Sequence, residues 1–294
     1  MDFASLEPLA GGWSGETFVA RLDDGAGGQR QVVRIHARRP ERAEVDAALL
    51  RLVRGLVPVP EVLDVRPAEG DLPALLITSF LPGERGDLVL PRLGAAEQGV
   101  LGRAVGRLAA TLAAMPQLRP GAFVDRDLTI APWDLPSSLG EAALGALEDG
   151  FAHWTPRERD GLVAVADLAD QVLASVDRTS LVHSDLNPKN LLVDPETLAV
   201  TGLVDWEFAH AGHPFTDLGN VLRFDRAPAY VAAVLDSFGE LREVPQQDAT
   251  TLARAADLWA LLDLAGRAGQ NPVADRAEAR LRLVAGSGDL HAAV

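Results

Sequence analysis

The stretch "LVHSDLNPKN" occupies residues 181–190, and a hairpin-like pattern leads from it to "GLVDWEFA" at residues 202–209. The first stretch sets His183, Asp185 and Asn190 in the spacing H-x-D-x-x-x-x-N, directly after a short apolar strand pattern. Asp205 stands at the end of the second apolar run. Any one of these polar residues suits an ordinary turn. Together they predict a hairpin that carries Asn190 and Asp205 opposite each other.

The chemistry of phosphoryl transfer explains why these residue types occur in this pattern. The spacing is that of a kinase catalytic loop. Transfer to a hydroxyl needs an acceptor for the hydroxyl proton, a metal between phosphate oxygens, and cations. We therefore expect Asp185 to face the substrate hydroxyl, and Asn190 and Asp205 to bind Mg²⁺ through their oxygen atoms. Asp217 is expected to hold the loop by hydrogen bonds, and His183 to support it.

The composition of the chain fits a globular enzyme. Its 294 residues can bury a large core, with 48% apolar and 23% charged residues. There is no cysteine, no apolar run of bilayer length and no leader pattern, so we expect a cytoplasmic protein without membrane contact. The net charge of −15 argues against nucleic acid as a partner. It either attracts a cationic substrate or only keeps the protein in solution.

The periodicity predicts an α+β chain with a β-rich N-terminal lobe, residues 1–82, and a mainly helical lobe, residues 83–294. Strands at 16–22 and 30–37 flank the turn "DDGAGG", a helix follows at 41–56, and two more strands come before Pro82. Residues 116–140 are expected to be irregular. Further helices are predicted near 94–115, 155–176 (with Thr155 as its N-cap), 214–224, 227–239, 247–268 and 272–285.

The segment 181–224 resembles the aminoglycoside phosphotransferase family, which also covers related choline, homoserine and antibiotic kinases. The sequence motif of that family is close to "HGDLHPGNLL…GVIDWE…GDPAYDLA", and this chain has "HSDLNPKNLL…GLVDWEFAHAGHPFTDLG". "LAGGWSGETF" at 9–18 is similar to the glycine-containing loop of the family, and "LITSFLPG" at 76–83 to its hinge. The resemblance implies a bilobal, protein-kinase-like fold with ATP or GTP in the cleft.

The same resemblance implies which residues surround the nucleotide. The hinge backbone would hydrogen-bond the nucleobase, and the glycine-containing loop would cover the phosphates, because missing side chains allow close backbone approach. The hinge residues are Ser79, Phe80 and Leu81, and the loop residues are Gly11, Gly12, Ser14 and Gly15.

The cation that holds the phosphates is expected to be Arg34. Lys189 is the only lysine in the chain, whereas kinase-like folds place the phosphate lysine on the third strand. Arg34 stands at that place, and alternation sets it on one face with Val32. Its planar fork reaches phosphate oxygens and stays charged. The family pattern gives Glu44 as its partner. A phosphate contact by Lys189 itself stays open.

The acceptor is expected to be a small cationic molecule that carries a hydroxyl. An aminoglycoside follows from the family name, and a tuberactinomycin-type cyclic peptide such as capreomycin or viomycin is also cationic and hydroxyl-bearing. The protein would then be an antibiotic-resistance enzyme, as a monomer or homodimer. Acidic residues of the irregular segment and the C-terminal lobe are the candidate contacts: Asp125, Asp127, Asp134, Glu207 and Asp263.

Two other functions compete with this one. A metabolic kinase for homoserine, choline or a sugar would share the fold, but a homoserine kinase needs a cation for the substrate carboxylate. A pseudokinase that binds nucleotide or a partner would explain the missing strand lysine. Against it, Asp185, Asn190 and Asp205 are all present.

Overall fold

A computed structural model describes residues 3–8, 16–22, 30–133, 136–151, 153–224 and 227–292. Two compact units share the chain. The first comprises Met1–Arg92, Gly121–Ala131 and Pro188–Ala209, and the second comprises Leu93–Pro120, Pro132–Asn187 and His210–Val294. The predicted division into a nucleotide-binding lobe, residues 1–82, and a catalytic and substrate-binding lobe, residues 83–294, stays a prediction. The predicted turn "DDGAGG" lies outside the described residues.

The described elements follow in chain order. The strands are β1 Phe3–Pro8, β2 Glu16–Leu22, β3 Arg30–His36, β4 Val62–Arg66, β5 Ala74–Ser79, β6 Glu84–Arg85, β7 Pro116–Gln117, β8 Gly121–Phe123, β9 Ile130–Ala131, β10 Thr179–Val182, β11 Leu191–Val193, β12 Val200–Leu203 and β13 His210–Gly212. The helices are α1 Arg42–Val53, α2 Gly86–Val89, α3 Ala95–Ala113, α4 Leu139–Asp149, α5 Pro156–Leu173, α6 Thr216–Leu222, α7 Pro228–Arg242, α8 Gln246–Ala265 and α9 Pro272–Ser287.

The first unit is built on an antiparallel sheet in the order β1-β2-β3-β5-β4. Its apolar face buries Ala20, Val33 and Ile77 as one cluster. The predicted order of two strands, a helix and two strands is confirmed by β2, β3, α1, β4 and β5. Strand β1 was not predicted. It pairs with β2 along its length, so the sheet gains an edge strand before the predicted ones.

A second, smaller sheet of the first unit has the order β12-β11-β6. The predicted hairpin is confirmed: β11 and β12 pair antiparallel, with Leu191 opposite Leu203. The carboxylate of Asp194 makes the turn by accepting hydrogen bonds from the backbone N–H groups of Glu196 and Thr197. This pairing brings the residues just before β11 and just after β12 to the same end of the hairpin.

The second unit is mainly helical, as predicted. Its largest apolar core lies among α4, α5, α8 and α9. Helix α5 begins as its sequence predicts: the Thr155 hydroxyl accepts from Glu158 N–H and the Glu158 carboxylate accepts from Thr155 N–H, with Pro156 in the first turn. Helix α4 was not predicted from the sequence. It lies mostly after residues 116–140, the segment predicted to be irregular.

Strand β10 leads into the stretch 183–187 within the second unit. It pairs antiparallel with β7 and with β13, so Val182 lies opposite His210. Of the helices in the described ranges, none is long and apolar enough to cross a membrane.

Candidate active site

A cavity of about 430 Å³ lies within the first unit. It is lined by the face of the larger sheet that carries Arg34, by the segment after β5 and by the small hairpin. Six of the residues predicted to bind nucleotide or metal line it: Arg34, Ser79, Phe80, Leu81, Asn190 and Asp205. The predicted loop residues Gly11, Gly12, Ser14 and Gly15 lie outside the described residues.

The register of the sheet explains why Arg34 reaches the cavity. Arg34 lies opposite Thr17 on β2 and Leu76 on β5, and Val32 lies opposite Thr78. Directly paired residues point to the same face of a sheet. All five side chains line the cavity, so the predicted alternation along β3 is confirmed.

Arg34 makes two ion pairs in the first unit. Its Nη1 donates to Asp205 Oδ1 at 3.0 Å, and its Nη2 donates to Glu207 Oε2 at 3.1 Å. Burial of Glu207, followed by the nearby charge of Asp205, raises the pKa of the Glu207 carboxyl above its ordinary value. Glu207 thus pairs with Arg34 in this structure, and its contact with the acceptor stays a prediction.

An acidic residue of α1 that the sequence analysis did not single out, Asp46, lies near Arg34. Asp46 is 2% exposed and lines the cavity, and the charge of Arg34 acts on its carboxyl. Glu44 is half-buried, and its predicted pairing with Arg34 stays a prediction. Helical phase explains the burial of Asp46: it follows Ala43 and precedes Leu50 on the buried stripe, and two residues turn a helix by about 200°.

Asp46 is held by an arginine of its own helix. Arg42 Nη2 donates to Asp46 Oδ1 at 2.6 Å and to the backbone oxygen of Trp206 at 3.0 Å. His36 Nε2 lies 3.9 Å from Asp46 Oδ2. Burial, then the charges of Arg34 and Arg42, lowers the pKa of His36 to about 4, so His36 is neutral at pH 7. Burial raises the pKa of Asp46, although both arginines oppose that shift.

Asn190 and Asp205 stand at the same end of the small hairpin. Asn190 closes a 3₁₀ turn over Pro188–Asn190, and its backbone oxygen accepts from Val204 N–H at 3.0 Å. Gly86 on α2 packs against this turn: an added Cβ would lie 2.8 Å from the Pro188 oxygen. Asp205 has φ +67°, a left-handed conformation that costs a non-glycine residue about 1–2 kcal/mol. Such strain commonly marks functional positions.

The side chains of Asn190 and Asp205, at one end of the small hairpin, are suitable ligands for magnesium that is bound together with a nucleotide. One carboxylate and one amide oxygen are hard ligands, and Mg²⁺ usually takes few protein ligands besides water and phosphate oxygens. Elsewhere in the described ranges, no group of three or more His, Cys, Asp or Glu side chains is arranged to hold a metal. Lys189 also lines the cavity, one residue before Asn190.

The predicted catalytic loop belongs to the second unit. Asp217, on α6, is 2% exposed, and its two carboxylate oxygens accept from His183 N–H at 2.9 Å and Ser184 N–H at 2.8 Å. The side chain of Asp185 accepts from Asn187 Nδ2 at 2.6 Å. Burial raises the pKa of Asp217 to about 6, and the charge of Asp185 adds to the shift, although the two backbone bonds oppose it.

The other predicted acceptor contacts lie in different settings. Asp125 Oδ1 accepts from the N–H groups of Asp127 and Thr129, so it forms a turn in the first unit, and these bonds lower its pKa. Asp263 is exposed on α8 and pairs with Arg267. Asp134 lies outside the described residues.

Two buried groups were missed by the sequence analysis. Asp46 was passed over for its neighbour, although a lone carboxylate on the apolar stripe of α1 was visible in the sequence. The second group joins Asn220, Arg223 and Asp257, all at most 7% exposed. Asn220 and Arg223 follow Asp217 at intervals of three, a spacing that puts all three on one side of α6. Nothing in the sequence signals Asp257 of α8.

The sequence of this chain is similar to those of known phosphotransferases. Residues 5–247 match the sequence model of the phosphotransferase enzyme family. An aminoglycoside 3′-phosphotransferase of Streptomyces fradiae is 28% identical over 247 residues, which covers 76% of this chain and 85% of the relative.

Solved structures share the fold at lower identity. Aminoglycoside phosphotransferase APH(4)-Ia, as a thermostable mutant in ternary complex with ADP and hygromycin B, superposes with a TM-score of 0.66 at 19% identity, covering 98% of this chain and 95% of that one. A macrolide 2′-phosphotransferase from Brachybacterium faecium gives a TM-score of 0.56 at 22% identity, covering 96% and 93%. These likenesses confirm the α+β, kinase-like fold. The chain belongs to the phosphotransferase enzyme family and is a kinase that transfers phosphate to a hydroxyl group of a small molecule.

Proposed function

We propose that this enzyme moves the γ-phosphate of ATP or GTP, with Mg²⁺, to a hydroxyl of a cationic antibiotic, and that the antibiotic is an aminoglycoside. One observation carries the nucleotide half of the proposal: Arg34, the hinge residues, Asn190 and Asp205 line a single cavity. Curated relatives named aminoglycoside 3′-phosphotransferase support the acceptor half.

Arg34 is the cation proposed to hold the phosphates. Its guanidinium is already oriented by Asp205 and Glu207, and its fork can bind two phosphate oxygens. Asp46 lines the same cavity, and the charge of Arg34 acts on its carboxyl. We propose Asp46 as a further acidic neighbour of Arg34 on α1, and the Arg34–Glu44 pair stays a prediction.

Asn190 and Asp205 are proposed to hold Mg²⁺ through their side-chain oxygens. Their oxygens would hold the ion beside the nucleotide phosphates, where it would supply positive charge that stabilises the transferring phosphoryl group. Because Asp205 also accepts from Arg34, binding of the ion would leave Glu207 as the remaining ion-pair partner of that arginine. Activity that persists in excess chelator would contradict this assignment.

The nucleobase is proposed to bind along Ser79, Phe80 and Leu81. Ser79 N–H already donates to Glu61 O at 2.8 Å, and the Ser79 hydroxyl accepts from Glu61 N–H. The base would therefore bond the backbone of Phe80 and Leu81 and lie against the apolar side chains Val32, Leu192 and Val204 of the cavity. Gly11, Gly12, Ser14 and Gly15 are proposed to cover the phosphates.

Asp185 is proposed to accept the proton of the acceptor hydroxyl. His183 and Asp217 support this loop through the buried backbone bonds described above. The excess of 42 acidic over 27 basic residues favours a cationic acceptor. Asp125, Asp127, Asp134 and Asp263 remain proposed acceptor contacts.

An acceptor panel tests the proposal. The protein is incubated with Mg²⁺ and either ATP or GTP, together with aminoglycosides, capreomycin, viomycin, a macrolide, homoserine or choline. Nucleoside diphosphate release and the mass of the acceptor are measured. Phosphorylated aminoglycoside is the expected product. Transfer to another acceptor alone would replace the substrate class, and nucleotide binding without any transfer would favour a pseudokinase.

A further inference from the structure

We propose that Asn220 is a second positioning residue for the catalytic loop, and that Asp257 and Arg223 hold its amide in the required orientation. The activity readout of this proposal rests on the proposed function. The structural readout described below does not.

The loop is anchored on both sides of Asp185 by one helix. Asp217 accepts from the N–H groups of His183 and Ser184, on the N-terminal side. On the C-terminal side, Leu186 N–H donates to Asn220 Oδ1 at 3.3 Å. Asp217 and Asn220 are three residues apart on α6 and so lie on the same face. The backbone before and after the proposed base is therefore held by a single rigid element.

The orientation of the Asn220 amide is set from its other end. Its Nδ2 donates to Asp257 Oδ1 at 3.3 Å. Asp257 in turn accepts from Arg223 Nε at 3.0 Å and from Arg223 Nη2 at 2.8 Å. A flipped amide would set its oxygen against the Asp257 carboxylate and its NH₂ group against Leu186 N–H. The carboxylate thus selects the orientation that accepts the loop bond.

Close packing of α6 on α8 makes this network possible. A Cβ added at Gly219 would lie 2.5 Å from the backbone oxygen of Ala253 and 3.0 Å from Asp257 Cβ. Glycine therefore lets α8 approach near enough for the short Asp257 side chain to reach Asn220. Arg254 of α8 also donates to Leu222 O at 2.5 Å, at the end of α6.

Burial of charge argues that the network serves more than stability. Asn220, Asp257 and Arg223 are 1%, 2% and 7% exposed. A buried ion pair is often no more stabilising than apolar residues of the same volume, because two charges lose their hydration. Burial opposes the charge of Arg223, yet the carboxylates of Asp257 and Asp185 raise its pKa. These two negative charges therefore favour the charged guanidinium of Arg223 inside the protein.

The test compares Asn220→Ala with Asn271→Ala. The side chain of Asn271 caps α9 by accepting from the N–H groups of Val273 and Ala274, so its loss controls for lost stability. Asn220→Ala should lower kcat by about tenfold or more while the nucleotide KM stays within about twofold, because the base is displaced and the nucleotide site is not. Asn271→Ala should keep the kcat of the unaltered protein.

An exchange of the side chains at positions 220 and 257 tests whether Asp257 sets the orientation of the Asn220 amide. Asn220→Asp or Asp257→Asn alone should lower kcat, because each destroys the match between amide and carboxylate. The double variant returns one carboxylate and one amide to the pair with their places exchanged, and kcat should recover partly. If Asn220→Ala does not fold, this size-matched series takes its place. A double variant no better than the worse single variant would overturn the role of Asp257.

Hydrogen exchange supplies the readout that needs no acceptor. In the protein without ligands, Asn220→Ala should speed exchange of the Leu186 amide by about tenfold or more relative to Asn271→Ala. If the unaltered protein phosphorylates nothing, the proposed function fails while this anchor is still tested. Unchanged exchange at Leu186, or a kcat within twofold of that of Asn271→Ala, would overturn the proposal.

Discussion

In the first unit, Arg34 meets Asp205 and Glu207 through side chains alone, and these three side chains keep 17%, 24% and 11% of their surface exposed. In the second unit, Asp217 is 2% exposed and bonds only backbone N–H groups among its described partners. Ion pairs between side chains that stay partly exposed can exchange partners when a ligand arrives, whereas buried bonds to backbone fix a loop. We therefore expect changes in the first unit to act on nucleotide binding and changes in the second to act on turnover.

The largest effect is expected from Asp185→Asn. The variant keeps the size of the side chain but removes the proposed proton acceptor, so kcat should fall by about 10³-fold or more. Steady-state kinetics with the preferred acceptor measures it. Asp160→Asn, at an exposed position of α5, is the control. Turnover within tenfold of the control would remove Asp185 as base.

Asp217 should leave a pH signature on stability. Its carboxyl has a pKa of about 6 when folded and near 3.8 when unfolded, so the folded state binds the proton more tightly. Raising the pH from about 4 to about 6 then lowers the free energy of unfolding, by about 3 kcal/mol in all. Urea titrations of the unaltered protein and Asp217→Asn should show this loss only in the former. If the free energies of unfolding of the two proteins differ by the same amount at every pH, the raised pKa of Asp217 is contradicted.

Arg34→Ala should weaken use of the nucleotide. Loss of two charge-assisted bonds to phosphate predicts a rise of about fiftyfold in the nucleotide KM, with a smaller change in the acceptor KM. Arg34→Lys, which keeps the charge without the fork, should fall between. Arg21→Ala on the exposed face of β2 serves as the control. An unchanged nucleotide KM would mean that a residue other than Arg34 holds the phosphates, and Lys189 would be the next candidate.

The smallest effect is expected from Glu207→Gln. If Glu207 keeps Arg34 in place once Asp205 binds the metal, its loss should raise the nucleotide KM by about threefold to tenfold and leave the acceptor KM unchanged. Glu196→Gln, in the hairpin turn, is the matched control. A selective rise in the acceptor KM would instead return Glu207 to the acceptor contacts predicted from the sequence.

The parts of the site that follow strand periodicity were predictable. Alternation along β3 placed Arg34 on the cavity face, and the hairpin pattern placed Asn190 and Asp205 at one end of β11 and β12. The kinase-like fold was implied by the family resemblance of the segment that carries His183, Asp185 and Asn190. Local pattern suffices where neighbours in sequence are neighbours in space.

Other features of the site were not predictable from the family pattern or from local spacing. The family pattern points to Glu44, whereas the helical phase of α1 buries Asp46. The bond of Glu207 to Arg34 spans 173 positions of the chain, so no local pattern shows it. Asp257 was invisible because its function comes from two side chains on another helix. Tertiary contacts, which no local pattern encodes, decide the cases of Glu207 and Asp257, whereas the phase of α1 can be read from the sequence.

The affinity for Mg²⁺-nucleotide of two variants, measured by titration calorimetry without acceptor, tests the central claim most directly. If the first unit binds the nucleotide and the second supplies the base, Arg34→Ala should weaken the Kd by about fiftyfold, and Asp185→Asn should keep it within about threefold. Equal losses in both variants, or no loss for Arg34→Ala, would contradict this division of labour.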